Sequence, residues 1–526
     1  PRMLTALRDA KKRGSKIIHI NPLPEAGLER FKHPQDYMSL DFKSTKLSDF
    51  HLQVKIGGDA ALMKGLIKVH LDSGGFDTEF IENSTTGFQS MCDNARETPW
   101  ELIVRDSGVE KHLIEKVGVL CARSNATIAC WAMGLTQHRN GVSVIQEVVN
   151  LLLLGGHVGR KGAGFCPVRG HSNVQGDRTV GIWEAPSDSF MDKMEQGLKI
   201  SLPRKHGYDV VNSIKAMADS NVEVFFCMGG NFLSATPDTR FTANALSNVD
   251  LIVQVSTKLN RSHIVTGKEA LILPCLGRTE LDIQKSGKQF VSVENSMGIV
   301  HMSRGGLKPA SELLRSEPWI VASLAAKTLK NSPIEWNELA SSYDKIRDIM
   351  SESLHGFEDY NIRVREENGF YLPNPPRDSR TFQTDDGKAH FTTHDLPDVS
   401  VESDQYVMMT LRSHDQYNTT IYGLDDRYRG IKGNRRILMM NPLDMLERNW
   451  KTRQVIDITS HFEGEERTSG NWLVIPYEIP SGNIAAYFPE ANELVPLDST
   501  AEISNTPTSK WIICSLSETS NSDEEE

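Results

Sequence analysis

Apolar positions along this chain fall into short unbroken runs separated by longer amphipathic stretches. Residues 16–20, 127–133, 222–228, 251–255 and 270–273 are runs of strand length. They close on Asn21-Pro22, Gly134, Gly229-Gly230-Asn231, Ser256-Thr257 and Pro274. Continuous runs of this kind suit strands buried on both faces, as in parallel sheets. Helical spacing lies between them. Residues 1–13 predict a helix with Pro1 in its first turn, basic residues in its last and Gly14 as its stop. Asp59 is placed to cap a helix running through Leu66. Val144, Ile145, Val148, Val149, Leu151 and Leu152 make another helix apolar on most faces. It starts near Asn140 or Ser143 and stops at Gly155-Gly156. Residues 72–126 read as helices and loops, and 311–355 as helical. This alternation predicts an α/β protein with doubly wound, mostly parallel sheets in two domains.

The pattern then changes. Residues 371–404, with Pro373, Pro375 and Pro376, read as an irregular linker. Beyond it, residues 407–411, 455–459, 472–476, 484–488 and 511–514 are strand-like and predict a C-terminal β-barrel. The expected organisation is one α/β domain over 1–168, a second over 169–370, the linker 371–404 and the barrel 405–516. Residues 517–526 form an acidic tail expected to be disordered. The first helix feeds a strand with no strand before it, so the sequence is expected to begin in mid-fold.

At 526 residues the chain exceeds what one core can organise. A formal charge of −11 and a pI near 5.9 argue against non-specific nucleic-acid binding. The densest apolar run, near 148–154, is far short of a membrane span. The seven cysteines include no C-x-x-C pair, which predicts reduced thiols in a cytoplasmic protein and no iron–sulfur or zinc ligand set within this sequence. Cys130 and Cys227, inside apolar runs, read as core.

Candidate chemistry gathers where strands end. Met133-Gly134 turns the chain out of the 127–133 run, and Gln137 and His138 follow on the loop where open α/β sheets bind ligands. Gly159, Gly162, Gly164, Gly170 and Gly176 then interleave with Arg160, Lys161, Arg169, His171, Asn173, Gln175 and Arg178. Glycines permit close backbone approach, and the cations suit an anion. A solvated glycine-rich connection is the alternative. Asn21-Pro22, Gly57-Gly58-Asp59, Gly229-Gly230-Asn231 and the pair Gln254 and Ser256 occupy similar positions, where plain turns are the alternative. In the barrel the polar signals are Arg412-Ser413-His414, Gln416, Tyr417, Asn492, Asn505 and Lys510.

The segments Trp131-Ala132-Met133-Gly134-Leu135-Thr136-Gln137-His138, Gly159-Arg160-Lys161-Gly162-Ala163-Gly164 and Pro167-Val168-Arg169-Gly170-His171-Ser172-Asn173-Val174-Gln175-Gly176 resemble the core of molybdopterin-dependent oxidoreductases, in particular formate-dehydrogenase-like α subunits. The resemblance extends over nearly the whole chain. It implies a molybdenum cofactor with two molybdopterin guanine dinucleotides, contacted by the strand-end residues above, and a barrel of the double-psi type. It further implies that the metal ligand and any iron–sulfur segment lie upstream of Pro1, with none in this sequence. Arg169 is the candidate catalytic residue, because a guanidinium beside the metal can hold a small anionic substrate bidentately. His138 and His171 could shuttle protons or hydrogen-bond the cofactor. An electron-transfer partner is implied as well. Two other readings stay open: a non-catalytic or truncated family member serving a structural or electron-transfer assembly, and an unrelated α/β nucleotide-binding protein.

Overall fold

The computed structural model describes residues 2–33 and 44–519. The chain folds into two compact units. The first combines Pro1–Ala129, Met133–Phe165 and Ser379–Glu526; the second combines Cys130–Ala132 and Cys166–Asp378.

In the first unit, helix α1 (Arg2–Lys12) precedes strand β1 (Ile18–Ile20), which pairs in parallel with β2 (Phe50–Leu52). Helix α2 (Asp59–Ser73) follows. Its N-cap is Gly58, not Asp59; Asp59 is the first helical residue, because Gly58 already has the non-helical backbone. Strand β3 (Ile128–Trp131) leads through a single turn, Met133–Thr136, into helix α3 (Gly141–Leu154). Asn140 is the N-cap of α3 by position, although its side chain makes no capping bond. At the other end Gly156 takes φ +58, where a Cβ would stand 2.2 Å from the Asp77 carboxylate. Only glycine fits that turn.

Helices α2 and α3 bury a polar cluster among their apolar residues. Lys64 Nζ donates to Glu147 Oε1 at 2.6 Å, to Asn94 Oδ1 at 2.6 Å and to the His394 carbonyl at 3.0 Å. Asn150 donates to Glu147 Oε2 and to the Thr392 carbonyl, and accepts from the Thr392 N–H. With every group paired, the buried charges are tolerated. Residues 389–390 also pair in parallel with Thr85 and Thr86, so part of the stretch read as a linker is built into this unit.

The C-terminal sheet closes into a six-stranded barrel. Its strands are β8 (Gln405–Leu411), β9 (Ile437–Met440), β10 (Val455–Phe462), β11 (Glu465–Pro476), β12 (Asn483–Tyr487) and β13 (Ile512–Glu518). The spatial order is β8-β12-β9-β11-β10-β13, with β13 returning antiparallel to β8. Met408, Leu438, Met440, Ile456, Trp472, Val474 and Ile484 fill the inside. Closure leaves no edge, and these side chains lose all contact with water. The expected strands are all present; β9 is an addition. Ser517 and Glu518, expected in the tail, belong to β13. Residues 520–526 lie outside the described part.

Strand β4 (Gly164–Pro167) pairs with β3, and from Cys166 onward the chain belongs to the second unit. A separate parallel sheet has the order β5-β6-β7, from Val224–Met228, Leu251–Ser256 and Glu269–Pro274. The central strand is buried. The flanking strands are not, contrary to the reading of these runs as buried: Val224 is 56% exposed and Leu271 46%. Ile128 in β3 is 56% exposed, and Cys130 is exposed rather than core. A continuous apolar run shows strand length and composition but not whether a neighbour covers each face. No helix among the described residues is long and apolar enough to cross a membrane.

Candidate functional site

In the first unit, the turn after β3 meets the barrel. The Lys510 N–H donates to the Gln137 carbonyl at 3.1 Å, and the Lys510 ammonium donates to the Thr410 carbonyl. Burial, and then the nearby Arg412 cation, push the Lys510 ammonium down to about 8. His138 is buried and hydrogen-bonded to the Gly134 backbone, with Nδ1 left without a partner. Burial holds it down to about 4, with Lys510 adding to the depression, so the imidazole is neutral at physiological pH. Arg412 is half-buried beside the Phe488 ring, 5.8 Å from its centroid. Neither Lys510 nor Arg412 pairs with a carboxylate among the described residues. Two half-buried cations beside a neutral imidazole with an unfilled position form a place for an anionic, hydrogen-bonding ligand.

Other barrel residues from the sequence reading are engaged within the protein. Ser413 and Gln416 bond each other and Arg435, which is paired with Glu490 at 2.7 Å. Gln416 also donates to the Phe488 carbonyl. His414 lies 2.9 Å from Asp426 and 3.5 Å from Glu25. Asp426 further accepts from Arg429 and from the Tyr487 hydroxyl, each at 2.9 Å. Burial lowers the His414 pKa, but the bonds with Asp426 and Glu25 outweigh it and raise the group to about 9. Tyr417 is 56% exposed. Asn492 is 2% exposed, and Asn505 takes φ +48 in the turn that closes on Ala501.

At the end of β1, the Asn21 side chain accepts from the Leu23 N–H, and the Pro22 carbonyl accepts from Gln53. The glycines after β2 serve close protein packing. A Cβ on Gly57 would stand 2.3 Å from the Trp511 ring, and one on Gly58 would stand 2.5 Å from the Asp106 carbonyl. Burial pushes the Asp59 carboxyl up to about 7.

In the second unit, Arg169 is exposed. Its Nε and one Nη donate to Gln175 Oε1 at 3.2 and 3.0 Å, and its backbone N–H donates to Ser296 Oγ. Asn173 accepts from the Glu294 N–H and donates to Asp177, and a Cβ on Gly176 would meet Asn173 Oδ1 at 2.2 Å. Gly170 and His171 are exposed. Arg160, counted among the anion-binding cations, is instead paired with Asp77 at 2.7 Å in the first unit.

The ends of β5 and β6 come together around a short turn that sequence reasoning missed. Ser262 Oγ donates to Asn231 Oδ1 at 2.8 Å, Gln254 donates to the Ser262 carbonyl at 2.8 Å, and His263 contacts Ser256 Oγ at 3.1 Å. Asn260 donates to the Gly230 carbonyl. Gly229 and Gly230 have φ +68 and +75, with nothing within 4 Å of a Cβ on Gly230. The run Asn260-Arg261-Ser262-His263 was the available signal. Among the described residues no three His, Cys, Asp or Glu side chains are grouped to hold a metal ion.

Molybdopterin oxidoreductase is the protein family whose profile matches this chain, over residues 31–265. An uncharacterized oxidoreductase of Mycobacterium tuberculosis is 48% identical over 531 residues, covering 99% of this chain and 68% of its own length. The chain therefore belongs to the molybdopterin oxidoreductase family, which implies a molybdenum–pterin cofactor. The F420-dependent formate dehydrogenase subunit alpha of Methanocaldococcus jannaschii is 26% identical over 358 residues, covering 66% of this chain and 48% of that one. Among solved structures, acetylene hydratase from Pelobacter acetylenicus shares the fold with a TM-score of 0.68, at 16% identity, covering 98% of this chain and 75% of that one.

Proposed function

We propose that this chain is the catalytic part of a molybdenum enzyme that binds two molybdopterin guanine dinucleotides and carries out a two-electron reaction on a small anionic substrate, with formate as a candidate. The observation that carries this reading is the pair Lys510 and Arg412, half-buried cations with no carboxylate partner among the described residues. Their surroundings fit an anionic, heteroatom-rich group such as a pterin dinucleotide. The cofactor, when bound, supplies the electron transfer. The residues of this chain hold and orient. Lys510, charged below about pH 8, offers ammonium N–H donors. His138 stays neutral and keeps Nδ1 for one further hydrogen bond.

Arg169 suits the substrate. Gln175 occupies its Nε edge, which fixes the guanidinium plane and leaves the edge between the two Nη atoms for an anion. The formate dehydrogenase relative and the sequence resemblance support a carboxylate of that size. The same reading gives the enzyme an electron-transfer partner and a cytoplasmic location. Any iron–sulfur cluster would draw its ligands from sequence other than this.

The test is the content of purified full-length protein. Molybdenum, oxidised pterin and guanosine monophosphate released by hydrolysis should all be found. Pterin without molybdenum would favour a non-catalytic family member. Pterin without guanosine monophosphate would overturn the dinucleotide form. An ordinary nucleotide in place of pterin would overturn the reading altogether.

A further inference from the structure

Two cysteines that have no place in the proposed chemistry stand side by side. The Gly164 N–H donates to the Thr127 carbonyl at 3.0 Å, and the Val168 N–H to the Trp131 carbonyl at 2.7 Å. Both bonds advance in the same direction, so β3 and β4 are parallel. In a parallel ladder these bonds make Ile128 the partner of Gly164 and Ala132 the partner of Val168. Midway between them Cys130 is directly opposite Cys166. Partners in one register point to the same face, and the two thiols are close enough for Cys166 to disfavour the Cys130 thiolate. Neighbouring strands lie about 4.8 Å apart, within the ~4.4–6.8 Å that a disulfide requires between Cα atoms. Both thiols are free; Cys130 is exposed and Cys166 half-buried. The ladder between β3 and β4 is made by their backbone groups.

We propose that Cys130 and Cys166 are a reversible redox modification site that closes to a cross-strand disulfide with a peroxide as the oxidant. One thiolate attacks the peroxide, breaking its O–O bond, and becomes a sulfenic acid with release of hydroxide. The second thiolate attacks that sulfur, the S–O bond breaks, and hydroxide leaves again. Two thiols and one hydrogen peroxide give one disulfide and two waters. Because the cysteines are fixed partners, the second step needs no chain movement and outpaces further oxidation to sulfinic acid. Burial, then Cys166, push the Cys130 thiol up to about 11, so crosslinking quickens as the medium becomes more alkaline.

The inference does not rest on the cofactor reading, and the two can fail separately. Full-length protein would be treated with dilute hydrogen peroxide, its remaining thiols alkylated in denaturant, and its peptides mapped by mass spectrometry. The expected product is one peptide pair joined through Cys130 and Cys166 and released by dithiothreitol. It should form faster at about pH 9 than at about pH 7. Cys92, Cys275 and Cys514, at 1%, 4% and 0% exposure, should be recovered as alkylated thiols. Cys166→Ser should abolish the crosslink and leave on Cys130 a sulfenic acid that dimedone traps. If oxidised protein with unchanged circular dichroism yields Cys130 and Cys166 as separate thiols or separate sulfinic acids, the proposal is wrong. A crosslink to any other cysteine also defeats it.

Discussion

Lys510 and Arg169 are both cations at a strand-to-loop transition, and the protein holds them in opposite ways. Lys510 is enclosed by the barrel, with its ammonium on the Thr410 carbonyl and Arg412 nearby. Elsewhere in the same unit His414, Asp426, Arg429 and Glu25 form a closed charge network. Arg169 stands exposed, held by one side chain six residues along the same segment. The enclosed cation is placed by the whole unit, so disturbing its surroundings disturbs the fold. The exposed one is placed locally and can change without structural cost. The first arrangement suits a resident group that stays bound. The second suits a ligand that comes and goes.

The largest expected effect lies in the network. Asp426 is 2% exposed and accepts from His414, Arg429 and Tyr487. Asp426→Ala leaves Arg429 and His414 with only the Glu25 carboxylate, 3.5 Å from each, and should cost about 3–5 kcal/mol, read from the urea midpoint of the fluorescence of Trp472, which is buried in the barrel. A loss under about 1 kcal/mol would place this network in the range of surface pairs and erase the contrast.

Next is the pH dependence of His414. Its folded pKa, about 9, lies above an unfolded value of about 6.5. The stabilisation is therefore fully present below about pH 6.5 and disappears as pH rises through about 9, a change on the order of 3 kcal/mol. Urea midpoints at about pH 6, 8 and 10 should fall in the wild type and much less in His414→Asn. Parallel curves would show that His414 does not titrate this way. Asp426 behaves in the reverse sense: its pKa is lowered, and its contribution is lost as pH falls.

Arg169→Ala should reduce kcat/KM at least about tenfold, corresponding to about 1.5–3 kcal/mol for a charged hydrogen bond. Its melting temperature and molybdenum content should stay near wild type, and Arg169→Lys should recover only part of the activity. Loss of metal and pterin together with activity would make Arg169 a cofactor clamp. At Lys510 the expected stability effect is also small. Lys510→Met removes a desolvated charge that faces Arg412 and leaves one carbonyl unpaired, for a net change within about 1 kcal/mol. Pterin content should nevertheless drop. Unchanged occupancy would end its assignment as a cofactor contact.

The sequence shows the fold's elements better than their surroundings. Five of the six barrel strands are recognisable from apolar runs of strand length. The missed strand, Ile437–Met440, is a four-residue run between Arg436 and Asn441-Pro442, too short to separate from a turn. The exposed faces of Val224–Met228 and Glu269–Pro274 were equally hidden, because burial depends on neighbours that a run does not specify. Among candidate site residues, chemistry was readable but partners were not. Gly57 and Gly58 look like ligand-approaching glycines, yet Trp511 and the Asp106 carbonyl fill the space above them. Arg160 looks like an anion-binding cation, and Asp77 takes it. His414 showed itself as polar, but nothing local announced Glu25, which reaches it from the other end of the sequence.

The polar cluster between α2 and α3 has a consequence for how the protein is made. Lys64 completes its bonds on a carbonyl 330 residues further along, and Asn150 on one 242 residues away. During synthesis at ~5–20 residues per second, the amino-terminal α/β portion must wait tens of seconds for the segment that satisfies its buried ammonium. Until residue 394 leaves the ribosome, Lys64 and Glu147 have incomplete shells, and the strand at Thr85 and Thr86 lacks its partner. Unpaired strand edges and unsatisfied polar groups of this kind are what make partly synthesised large proteins prone to aggregate. Loop closure over that distance places this protein among slow folders.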